Sequence, residues 1–217
     1  MPRAEFEKAL QELHEQLLKM GATIEHSMDL MIKALETGSS ELATEVIERD
    51  DIIDDLEASI ETACLDMIIK QQPVASDLRE ITSILKMITD LERISDQCAD
   101  ICEYVLKLTG EQMPEYMRLI IKMAQHVKQM ISATIDSYVH QDADKAIQTA
   151  KSDDVADDYF EQITGEIIQS MEGDPALRRI GIYLLLIAKY LERIGDHTTN
   201  VCEWVAYRIT GDHQLYN

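Results

Sequence analysis

The sequence predicts an all-α protein made of two tandem, pseudo-symmetric, antiparallel three-helix bundles, six long helices in all. Three observations lead there. Gly (8) and Pro (4) are scarce in 217 residues and aromatics make up only 5%, whereas Ala, Leu, Ile, Glu, Asp and Met are common. That mixture favours helix over sheet. The few breakers leave long stretches of helical periodicity between them, and two separated segments of the first half recur in the same order in the second.

Each helix has its own boundary signals. Gly38-Ser39-Ser40 ends the first and caps the second, and Gln71-Gln72-Pro73 ends the second. Ser76 or Asp77 is expected to cap the third, which closes at Thr109-Gly110. Pro114 opens the fourth, His140-Gln141-Asp142 and Gly173-Asp174-Pro175 bracket the fifth, and Thr210-Gly211 ends the sixth. Gly, Pro or a polar cap at every break is what helix ends require. Helices of ~30 residues run about 45 Å, and short connections between them imply antiparallel neighbours.

The repeat divides the chain. Leu91-Glu92-Arg93-Ile94-Ser95-Asp96 returns as Leu191-Glu192-Arg193-Ile194-Gly195-Asp196, and Ile101-Cys102-Glu103-Tyr104 as Val201-Cys202-Glu203-Trp204. Asp50-Asp51-Ile52-Ile53-Asp54-Asp55 returns as Asp153-Asp154-Val155-Ala156-Asp157-Asp158. One unit is expected over 1–110 and the other over 111–217.

Composition narrows the function classes. A net charge of −21 disfavours nucleic acid and anionic membrane surfaces and suits metal cations or basic protein patches. The longest nearly uninterrupted apolar run, Ile180 to Ala188, is far short of the ~20 residues that span a bilayer. No signal-peptide core follows Met1, so a cytoplasmic protein without membrane insertion is expected. Cys64, Cys98, Cys102 and Cys202 form no C-x-x-C pair and sit among apolar residues, as buried reduced thiols do. Met28, Met31, Met67 and Met87 fall on core positions.

The acids are ordered. On the second helix Ile53, Leu56, Ile60, Ala63 and Met67 form the apolar stripe, with Asp50, Asp54, Glu57 and Glu61 in a column beside it. On the third, Glu92, Asp96 and Glu103 flank the inward face, with Asp100 further round. If the two helices are neighbours, both columns line one groove. Carboxylates one turn apart repel by roughly 0.2–0.5 kcal/mol per pair, and a multivalent cation relieves that. The all-oxygen ligand set suits Mg²⁺, Mn²⁺, Ca²⁺ or iron. A solvated acidic face is the bland reading of any one such pair; its recurrence at equivalent places in both halves favours metal.

These segments, with Gln72-Pro73-Val74-Ala75-Ser76-Asp77-Leu78-Arg79 before the third helix, resemble the PhoU family over essentially the whole chain. The resemblance implies a non-enzymatic negative regulator of phosphate uptake and phosphate two-component signalling. Its implied partners are a phosphate ABC transporter ATPase and a phosphate sensor histidine kinase, and a homodimer is the implied assembly. It also implies metal ions on carboxylates, with iron, Mn, Zn or Mg as candidates. By that analogy Asp50, Asp54, Glu92 and Asp96 form one site, and Asp153, Asp157, Glu192 and Asp196 the other.

The halves differ. Glu57, Glu61 and Asp100 align with Phe160, Thr164 and Asn200, which leaves the second groove poorer in acids and predicts fewer or weaker ions there. His197 points too far round its helix to join the acids and is expected at the surface, as are Arg93 and Arg193. Two other readings stand beside the regulator. One is a carboxylate-bridged di-metal enzyme, for which no histidine has an acid three residues before it and no catalytic motif occurs. The other is a metal-free structural helical-repeat protein.

Overall fold

The computed structural model describes residues 3–174 and 177–212. Every regular element among them is helical: α1 (Arg3–Thr37), α2 (Ser40–Gln71), α3 (Ala75–Lys107), α4 (Met117–His140), α5 (Ala143–Lys151), α6 (Asp154–Gly173) and α7 (Arg178–Thr210). The expected all-α fold with six helical rods is present, but the fifth rod is interrupted into α5 and α6. There the chain tightens, with the Ser152 and Asp153 amides bonding back to Thr149 and Ala150. The Ser152 carbonyl, which accepts from the Val155 amide at 3.1 Å, also lies 2.9 Å from His126 Nε2 of α4. Periodicity alone does not reveal this break.

The other boundaries follow local chemistry. Ser39 caps α2 through its hydroxyl and Asp142 caps α5 through its carboxylate. The α3 start differs from expectation: the cap is Val74, which lends no side chain. Asp77 instead pairs with Arg3 at 2.6 Å, tying α3 to the beginning of α1. Pro114 precedes a turn rather than opening α4 directly. Pro175, part of the last expected break, lies outside the described residues.

Helices α1, α2 and α3 pack on one another, as do α4, α5, α6 and α7. The most extensive contact joins the two groups, with α3 lying against α7. The pair is antiparallel, since Glu80 meets Arg208 while Tyr104 meets Tyr183. It has an approximate two-fold relation. Asp90 accepts from Asn200 Nδ2 at 3.1 Å, and the aligned pair, Tyr190 and Asp100, are hydrogen-bonded to each other. Leu91, Ile94, Leu191 and Ile194 are buried. Truncating one such buried Ile or Leu to Ala costs about 2–5 kcal/mol. α1 also crosses α4, where a Cβ on Gly21 would come within 2.9 Å of Ile135 Cδ1. The four cysteines are free and buried, and Met28, Met31, Met67 and Met87 belong to the core, as expected. Among the described residues no helix is long and apolar enough to cross a membrane.

One end of the α3–α7 pair carries a polar network. Arg208 donates to Glu80 Oε1 through Nε (2.9 Å) and Nη2 (2.7 Å), and its guanidinium carbon lies 4.5 Å from the Tyr138 ring centroid. His14 Nε2 is 3.1 Å from Glu80, and Nδ1 contacts the Tyr138 hydroxyl. Four helices thus meet in one network, three of them on the Glu80 carboxylate itself. The His14 hydrogen bond, reinforced by Arg208 and opposed by burial, holds Glu80 at about 2. A carboxylate depressed in the folded state adds stability above its unfolded value and loses it as pH falls through the folded one. Glu80→Gln is therefore expected to lower stability by about 1–2 kcal/mol at neutral pH, less than the full shift because the site is partly solvated. Thermal melts across pH should show that deficit shrinking between about pH 5 and pH 2. A deficit that stays constant with pH would contradict the network's hold on an ionised Glu80.

Candidate metal centre

The first acidic groove lies between α2 and α3. Asp50 and Asp54 stand one turn apart on α2 and face Asp96 on α3, each offering a carboxylate oxygen within 4.8 Å of the others. Ser95, next to Asp96, turns its hydroxyl onto Asp50 Oδ1 at 2.6 Å and so fixes Asp50. Glu92, a turn before Asp96, is drawn in with its side chain only 16% exposed. Its Oε2 is buried without a hydrogen bond, although Arg93 Nε stands 3.2 Å away in a poor direction for one. Burial first, then the nearby Asp96, Glu57 and Asp54 charges, push Glu92 up to about 7 against the pull of Arg93. Burial also raises Asp50, Asp54 and Glu57, with neighbouring carboxylates adding to each.

The expected α3 column is split by its neighbours. Glu92 and Asp96 face the groove, Asp100 is held by the Tyr190 hydroxyl of α7, and Glu103 is exposed with Lys107 at 3.5 Å. On α2, Glu57 borders the cluster while Glu61 is exposed.

The second groove lies between α6 and α7 and is built differently. Asp153 sits at the helix break and turns inward until it is only 9% exposed. Thr199 Oγ1 donates to its Oδ2 at 3.2 Å, while Oδ1 is buried without a partner. That oxygen lies over Gly195, where any Cβ would overlap it. Gly195 therefore makes room for Asp153 where its counterpart Ser95 bonds Asp50. Burial, followed by the Asp196, Asp157 and Glu192 charges and opposed by Thr199, lifts Asp153 to about 7. Asp157 and Asp196 are raised by burial and then by Glu192. Glu192 itself is clasped by Lys189, whose Nζ is 2.6 Å from both its oxygens. Among the described residues, three potential ligand atoms come within 4.8 Å only in the first groove.

One position differs from expectation. His197 is not at the surface: its side chain is 20% exposed and Nδ1 lies 2.9 Å from Asp90 across the α3–α7 contact. Arg93 is at the surface as expected and ion-pairs there with Glu92 and Asp96, and Lys189 pairs in the same way with Glu192. Thr199 aligns with Ala99, so the repeat offered no sign of its role.

The donor set fits a hard cation. It is all oxygen, and Asp153 Oδ1 and Glu92 Oε2 are buried acceptors still lacking hydrogen bonds. Without a cation the grooves store repulsion. Asp153→Asn, similar in shape but uncharged, is therefore expected to melt about 2–4 °C above the wild type in chelator at pH ~8, the size of a gain near 1 kcal/mol. A lower melting temperature under those conditions would show that the Asp153 charge is already compensated.

Comparison with known proteins places this arrangement. A model of the PhoU domain matches residues 17–105 and again 120–205. The chain is 41% identical over 212 residues to the phosphate-specific transport system accessory protein PhoU homolog of Clostridium acetobutylicum, covering 97% of both chains. It is 31% identical over 207 residues to the accessory protein PhoU of Escherichia coli, covering 95% of this chain and 86% of that one. Among solved structures, PhoU from Pseudomonas aeruginosa superposes with a TM-score of 0.93 at 31% identity, over 95% of this chain and all of that chain. The phosphate transport system regulatory protein PhoU from Streptococcus pneumoniae gives 0.88 at 30% identity, over 96% and 99%. With both repeats matched, the fold shared and the similarity running the length of the chain, this protein belongs to the PhoU family, a non-enzymatic family of phosphate transport accessory and regulatory proteins.

Proposed function

We propose that this chain is a cytoplasmic negative regulator that links a phosphate ABC transporter ATPase to a phosphate sensor histidine kinase and keeps phosphate-starvation signalling off when phosphate is plentiful. Residues 1–110 and 111–217 act as its two units, and two copies form a homodimer. Asp50, Asp54, Glu92 and Asp96 hold metal in the first unit, and Asp153, Asp157, Glu192 and Asp196 in the second. Iron, Mn, Zn and Mg are the candidates for that metal. The observation that carries the metal assignment is the convergence of Asp50, Asp54 and Asp96 within 4.8 Å in the first groove, together with the buried Asp153 oxygen that lacks a hydrogen bond in the second. The family membership, and the accessory and regulatory roles of the relatives in phosphate transport, support the regulatory assignment.

In this reading the chain's own residues do structural work. Carboxylates from α2 and α3, and from α6 and α7, converge so that a bound cation supplies charge neutralisation and ties each helix pair together. Anything bound only by the folded form stabilises it. Four of the six histidines are occupied elsewhere: His14 on Glu80, His126 on the Ser152 carbonyl, His140 on Asp136 and His197 on Asp90. That distribution does not resemble the paired Glu-x-x-His ligands of di-metal carboxylate enzymes.

The regulatory role has a direct genetic test. Deleting the gene should derepress phosphate-starvation genes in phosphate-rich medium, and restoring the wild-type gene should return repression. Unchanged repression in the deletion strain would contradict the proposed role.

A further inference from the structure

Each acidic groove already contains one cationic side chain, and the two cations do not come from equivalent positions. Arg93 lies across the first groove, with Nη1 donating to Asp96 Oδ2 at 2.7 Å and Nε 3.2 Å from Glu92 Oε2. Asp96 is one of the three converging carboxylates, so the guanidinium already pairs with a group that a cation in the groove would use. In the second groove the aligned Arg193 does not take this part; its charge acts on Asp100 and Tyr190 instead. Lys189, which aligns with Thr89, does so, holding both Glu192 oxygens and pulling on Asp157 and Asp196. Its Nζ also lies 5.5 Å from the centroid of Phe160, the residue that replaces Glu57.

The two cations share a physical character. Arg93 and Lys189 are 51% and 49% exposed, whereas the glutamates they touch are only 16% and 15% exposed. Either can swing into water without opening the core, and long cationic side chains do so readily. The carboxylates cannot follow. Asp153 gives a second, independent sign of a missing partner, being 9% exposed with Oδ1 unbonded although Lys189 is present. Lys189 thus leaves the groove incompletely satisfied, as a stand-in would.

We propose that Arg93 and Lys189 are resident counter-ions, each occupying its own groove until a divalent cation exchanges for it and each setting the affinity of that groove separately. This rests on the cation-site reading above. A divalent ion entering the first groove competes with the guanidinium for Asp96, and one entering the second competes with the ammonium for Glu192. Removing the resident charge both ends that competition and leaves one more uncompensated negative charge facing the ion.

The test is Mn²⁺ binding by the full chain, read from the free-Mn²⁺ electron paramagnetic resonance signal. Asp196→Asn isolates the first groove and Asp96→Asn the second. In those backgrounds Arg93→Gln and Lys189→Gln are each expected to tighten Mn²⁺ binding about tenfold in their own groove, the order for a partly screened charge a few ångströms away. Neither should alter the other groove, and Arg93→Lys should bind as the wild type does. The rise in melting temperature on adding Mn²⁺ should also be larger for each Gln variant than for its parent, which confirms that the variants fold. If the wild type binds Mn²⁺ and the Gln variants bind no more tightly, the counter-ion role is overturned while the cation sites stand. If none of these proteins binds Mn²⁺, the cation-site reading and this proposal are both overturned.

Discussion

The antiparallel contact of α3 with α7 is the constraint on which the remaining structure depends. Each helix must bury one face against its partner and another against the helices of its own unit. The repeated hexapeptide supplies both within two turns, because Leu91 and Ile94, like Leu191 and Ile194, go to the interior. Glu92 and Asp96, and Glu192 and Asp196, are then forced onto the flank facing α2 or α6. Acids border the core here because hydrophobic burial sets the rotation of the helix. The Asp-x-x-x-Asp pairs on the facing helices complete the grooves.

The polar contacts between the halves fix how α3 and α7 sit on each other. Apolar packing alone tolerates sliding, whereas Asp90 with His197 and Asn200, Asp100 with Tyr190, and Glu80 with Arg208 and His14 each match only one alignment. Asymmetry enters through the same positions. Duplication would place like residues opposite each other. Replacing Gln97 by His197 and Asp100 by Asn200 lets one carboxylate, Asp90, collect two donors. The grooves diverged in parallel: Ser95 bonds Asp50, whereas Gly195 clears space and Thr199 bonds Asp153.

Much of this was legible in the sequence, for reasons that mark where legibility ends. Helix boundaries carry local signals, so Gly38-Ser39, Gln72-Pro73 and Gly211 could be read directly. The duplication is a property of the string, and the acidic columns follow from 100° per residue. What could not be read are the choices made between helices. Asp77 looks like a cap until Arg3 is seen beside it. Helical angle placed His197 outside the acidic column correctly, but it could not show that α7 lies against α3 and that the imidazole would be covered there. The contact of the Ser152 carbonyl with His126 joins the break to another helix. The splitting of Glu92, Asp96, Asp100 and Glu103 among groove, interface and solvent depends on which neighbour each turn of α3 meets.

The grooves are expensive as bare carboxylates, since burial raises Asp50, Asp153, Asp157 and Asp196 together with Glu92. A fold that carries this cost twice, at equivalent places, is accounted for here by cations that offset it. The most direct test is metal content by mass spectrometry on protein purified without chelator or affinity-tag metal, beside the double variant Asp96→Asn, Asp196→Asn. The account predicts divalent or trivalent metal bound to the wild type and lost from the variant. A wild type that carries none and takes up none of added Fe, Mn, Zn or Mg would contradict it.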